Sequence, residues 1–146
     1  MDFNKSLNKV ALEVAKQYPD AYFYEANVEL LKSWNGKPYP EISDACLFIF
    51  GRDTDHVSTI EATMQGGVVY LNERDAAWSE CRPMCHRTMI GLEGALERVK
   101  DYTIVSGFVV LKHDINQAAA QPYYTFQTTE GKVQVGANNG EVVVLG

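Results

Sequence analysis

The chain reads as α+β, built as two repeats of one helix packed on a three- to four-stranded antiparallel sheet. Three observations predict this. Residues 11–18 (ALEVAKQY) and 95–102 (ALERVKDY) agree at five of eight positions in a chain without low-complexity sequence. Residues 66–71 (GGVVYL) and 140–145 (GEVVVL) echo each other in the same order. Between each helical segment and its terminal echo, apolar and polar residues alternate with the period of half-buried strands.

The helical segments lie 84 residues apart and the terminal echoes 74, so the first copy carries about ten extra residues. Residues 34–40 hold the surplus, in a loop where insertion costs little because closure entropy grows only logarithmically. The boundaries follow: a first repeat at 1–72, a connector at 73–87 and a second repeat at 88–146. Two copies are fewer than the three or more an open array needs, which favours a fused pair. Whether the two sheets join is left open.

Taken in order, Ser6 is a candidate N-cap. Leu7, Val10, Ala11, Val14, Ala15 and Tyr18 then repeat at helical spacing until Pro19 stops the helix. Tyr22, Tyr24, Ala26, Val28 and Leu30 share one strand face. Residues 35–40 hold a glycine and two prolines and read as loop. Residues 45–50 form a strand apolar on both faces, and 51–56 turn. Ile60, Ala62 and Met64 point inward from the next strand, and Gln65-Gly66-Gly67 makes a hairpin into residues 68–71. The connector contains Trp78, too apolar for a free linker, which should pack on one copy or into their junction; a helical turn is expected before Pro83.

The second copy starts at Thr88 as cap, with Leu92, Ala95, Leu96, Val99 and Tyr102 on one helix face. Gly91 and Gly94 weaken this helix by roughly 1 kcal/mol each and let a backbone approach. Residues 103–111 form a strand with a bulge at Ser106-Gly107. Residues 123–128, 132–137 and 142–145 follow, with Val133, Val135 and Ala137 inward.

The net charge of −6 arises from 13 basic and 19 acidic residues, with −5 carried by residues 1–73 and −1 by the rest. Without a basic stripe, a nucleic-acid backbone has nothing to neutralise it. No stretch approaches the roughly 18 apolar residues of a membrane span, so membrane insertion is not expected. The N-terminus lacks the layout of a signal peptide, which reads as cytoplasmic for the chain as it stands and extracytoplasmic if a leader has been removed. Three cysteines, an odd number, do not form a secreted disulfide framework.

Pro122-Tyr123-Tyr124-Thr125-Phe126, Glu130-Gly131-Lys132-Val133 and Asn139-Gly140-Glu141-Val142, following a helix, resemble the PepSY domain. The likeness covers residues 88–146, and reaches 6–71 only through the internal echo. It implies a non-catalytic binding or inhibitory module, with a peptidase or another enzyme as partner. The tandem layout also looks like that of β-lactamase inhibitor proteins, at the level of architecture alone.

Trp34, Tyr39, Trp78 and Tyr123 lie in or beside loops and are the candidate binding residues, because Trp and Tyr bury much area at modest entropy cost. Cys81, Cys85 and His86 form the one conspicuous cluster. Its spacing suits a metal or a thiol switch, but zinc would need a second ligand pair. Asp53, Asp55 and His56 read as turn chemistry. Phosphate-loop and hydrolase motifs do not occur, so no catalytic residue and no cofactor is assigned.

The leading expectation is a non-enzymatic module that presses a sheet face or its junction loops onto another protein; self-association as a homodimer is a further option. One alternative is a small-molecule-binding or enzymatic domain with a polar pocket between helix and sheet. Another is a thiol or metal sensor at Cys81, Cys85 and His86.

Overall fold

The computed structural model describes residues 2–31, 41–52, 57–78, 81–115 and 121–145. The expectation of two helix-on-small-sheet repeats is wrong. The strands do not divide into two sheets; they merge into one antiparallel sheet that dominates the described residues, among which two α-helices lie beside it.

The elements are α1 (Phe3–Gln17), β1 (Tyr22–Leu31), β2 (Glu41–Arg52), β3 (Ser58–Gln65), β4 (Val68–Arg74), β5 (Cys81–Arg82), α2 (Leu92–Arg98), β6 (Phe108–Asp114), β7 (Tyr123–Thr128), β8 (Gly131–Gly136) and β9 (Val142–Val144). The sheet order is β4-β3-β2-β1-β6-β7-β8-β9, with β5 paired to β6 off that path. The joint is β1 against β6, from Glu25 beside Lys112 to Glu29 beside Phe108. An unpaired edge on each of two small sheets would be a template for association; pairing β1 with β6 removes both. Beyond Glu25 and Lys112 the two strands part. There β5 pairs with Asp114 and His113, and the Met84 N–H donates to the Phe23 carbonyl at 2.8 Å.

The register lays rows of side chains across all eight path strands. Leu71, Ala62, Phe48, Ala26, Leu111, Tyr124, Val135 and Val142 form one row. Both helices contribute to the core that this face builds: Phe3, Leu7, Val10 and Val14 from α1, and Leu92, Ala95 and Leu96 from α2, are buried with it. Phe3 links the layers, its ring centroid 5.9 Å from those of both Phe48 and Tyr124. Burying each such aromatic is worth roughly 2–3 kcal/mol.

Local chemistry explains where elements differ from expectation. α1 starts a turn before Ser6, because Asp2 caps it by accepting from the Lys5 N–H at 3.1 Å. The Phe3 N–H donates to Glu93 Oε1 at 2.6 Å and Asn4 Nδ2 to the Met89 carbonyl at 3.2 Å, so α1 is tied to the entry of α2. α2 is short and starts at Leu92, with Thr88 in a 3-10 turn ahead of it. A Cβ on Gly91 would first meet the Glu93 carboxylate, at 2.6 Å, with the Asn4 side chain of α1 in ordinary contact at 3.5 Å, so side chains rather than the expected backbone stand closest to this glycine. The predicted helical turn before Pro83 is absent from the described residues; β4 runs to Arg74, and the 3-10 turn follows Pro83.

In β1 a register shift between Phe23 and Glu25 puts Phe23 on the helix side and leaves Tyr22 exposed. This breaks the single face expected from Tyr22 to Leu30. At Ser106-Gly107 the strand is interrupted: residues 103–105 bond to the end of β7, and β6 starts at Phe108. Gly66 and Gly67, at φ of 59° and 80°, make the tight β3–β4 hairpin. Among the described residues, no helix is long and apolar enough to cross a membrane.

Candidate docking surface

Among the described residues, no helix lies on the second face of the sheet. Its central row runs Tyr70, Thr63, Leu47, Asn27, Val110, Thr125, Gln134 and Val143. Strand pleating places these side chains opposite the core row. Polar members are held locally: Gln134 Nε2 donates to Thr125 Oγ1 at 3.2 Å, and Asn27 Nδ2 to Glu25 Oε2 at 2.9 Å.

Part of this face is covered by the chain itself. Thr59 Oγ1 donates to the Ala76 carbonyl at 2.6 Å, so the segment after β4 turns back over the open side. Ile49, Thr59 and Glu25 are buried there. Trp78 belongs to this segment. It is half buried, and its indole N–H is shielded without a conventional hydrogen-bond partner. The adjacent Cys81 thiol is held above the usual value, chiefly by burial and then by Glu25; Lys112 and contact with Trp78 pull the other way.

Elsewhere on this face several apolar side chains are exposed. Phe108 is 61% exposed and Tyr70 58% exposed, and Val68 and Leu145 are also exposed. Between Phe108 and Leu145 lies a depression of about 320 Å³, lined among others by Val110, Lys112, Tyr123, Thr125 and Lys132. Lys132 is the exposed cation at its rim.

Of the residues singled out in the sequence, Tyr123 lies in this depression and Trp78 in the covering segment. Trp34 and Tyr39 lie outside the described residues, as do Asp53, Asp55 and His56. The cysteine cluster is not presented as one site. Cys81 pairs with Asp114 in the sheet, whereas Cys85 and His86 line a groove beside α1. Among the described residues no three His, Cys, Asp or Glu side chains group as a metal site.

Sequence reading missed Phe108 and Val110. The signal existed: Val109 and Leu111 are the buried alternates, so their neighbours had to face outward.

No family model, curated protein or solved structure matches the chain.

Proposed function

We propose that the protein is a non-catalytic protein-binding or inhibitory module that docks a partner on the uncovered sheet face. One observation carries the reading: a one-sided sheet exposes Phe108, Tyr70, Val68 and Leu145 where alternation would normally place polar residues. The depression between Phe108 and Leu145 sets Phe108, Val110, Tyr123 and Leu145 beside Thr125, Gln127 and Gln134, with Lys112, Lys132 and Asp114 as its charged members, a mix of aromatic anchors and polar groups suited to a protein partner. The partner is a protein whose surface offers an apolar anchor beside a carboxylate that can meet Lys132. The PepSY-like wording of residues 122–142 points to the same non-catalytic class.

The two alternatives draw less support. A polar catalytic pocket in the middle of the core would need room where Phe3, Phe48, Tyr124 and Leu92 are packed; the space that does open between α1 and the sheet is lined mainly by apolar side chains. A thiol sensor would need a readily ionised Cys81, and burial works against it.

The test is affinity capture from the native host with three baits: wild type, Phe108→Glu and Thr125→Arg. A protein held by wild type and lost by both variants, at unchanged unfolding midpoints, supports the reading. Captured proteins that ignore both substitutions would overturn it.

A further inference from the structure

On the helix side of the sheet, a groove of about 740 Å³ opens between α1, the start of β1 and residues 83–87. That volume is within the roughly 300–1,000 Å³ typical of small-molecule sites. Phe23, Phe50 and Met84 line it from the sheet side. Ala11 and Ala15, one turn apart on α1, leave it open because they fill so little of it. Leu12 and Tyr22, also in the lining, are 64% and 53% exposed, so large apolar groups stand in water there.

The charge of the groove is unusual for this chain. The protein has 19 acidic residues, yet none is among the described residues that line the groove. Among the described lining residues the fixed charge is Arg87, next to the half-buried His86. An apolar trough with one cation at its side is complementary to an apolar tail with an anionic head.

We propose that this groove binds a single-chain amphiphile with a carboxylate head, of the long-chain fatty acid type. The tail lies against Phe23, Phe50 and Met84, and the carboxylate meets Arg87 and His86. The inference is independent of the docking face, so either can fail without the other.

The probe is dodecanoate below its micellar concentration, titrated calorimetrically into the full chain. The expected result is one saturable site, with dodecanol bound at least about tenfold more weakly and dodecyltrimethylammonium not at all, since a charge-assisted hydrogen bond is worth about 1.5–3 kcal/mol. Arg87→Gln lowers dodecanoate affinity about tenfold and leaves dodecanol unchanged. Ala15→Trp, at an exposed helix position, blocks both. Leu12→Glu gives a second variant that weakens dodecanoate without filling the groove. Equal binding of all three amphiphiles, or dodecanoate binding indifferent to these substitutions, overturns the proposal. So does an apolar acidic peptide that binds the groove where dodecanoate does not.

Discussion

The row from Leu71 to Val142 and the row from Tyr70 to Val143 cross the same eight strands one residue apart. The first is apolar throughout and lies under two helices. The second mixes Thr, Asn and Gln with Tyr, Leu and Val, and among the described residues the segment after β4 covers part of its face. The difference teaches that the sheet has one committed core and one face that is neither core nor ordinary solvent surface. Strands with a purely solvated face would alternate more cleanly. The aromatic and aliphatic residues kept on the second face are therefore the feature to explain, and the partner proposed above would account for them.

That contrast can be broken most directly at Phe48, which is fully buried against Phe3 and Phe23. Phe48→Ala should cost about 3–5 kcal/mol in denaturant unfolding, through lost transfer energy and the cavity left behind. Tyr70→Ser, on the opposite face, should stay within about 0.5 kcal/mol. A Phe48 variant as stable as the Tyr70 variant would mean that the two faces have been misassigned.

The tyrosine pair in β7 sharpens the comparison at smaller scale. Tyr124 is buried, its hydroxyl donates to the Ile90 carbonyl at 2.7 Å, and burial followed by Glu93 pushes its pKa up. Tyr124→Phe should cost about 1–2 kcal/mol, because a shielded carbonyl loses its donor. Tyr123→Phe, one residue away on the open face, should leave the unfolding midpoint in place.

The smallest effect concerns His86, held below the usual histidine value by burial and then by Arg87. The unfolded chain takes up this proton first as pH falls through about 6.5. Stability should therefore fall with acidification from about 6.5 towards the lower folded value. His86→Gln should flatten that part of the profile, and parallel curves for the two proteins would remove the assignment.

The inward residues were legible because alternation is local. Ile60, Ala62 and Met64, and likewise Val133, Val135 and Ala137, are buried as their period required. Leu7, Val10 and Val14 were legible from helical spacing for the same reason. The union of the strands into one sheet was not legible. It depends on Glu25 meeting Lys112, a pairing no sequence window contains. The start of α1 was legible but missed: Asp2 is a local cap, three residues before the Lys5 N–H it accepts from, and only the bond from the Phe3 N–H to Glu93 depends on a residue distant in sequence. The candidate surface was half legible: the loop-aromatic rule found Tyr123, whereas Phe108 follows only once the inward alternates of β6 are fixed.

The union of β1 and β6 also bears on how the chain is made. While a ribosome is still producing the C-terminal strands, β1 has a neighbour on one side only. Its other rim must wait for residues 108–112 to emerge. Such distant pairing is slow to form, so the nascent polypeptide offers a sticky ribbon for part of its synthesis. The finished architecture thereby places its main hazard in translation, where holdase chaperones would act.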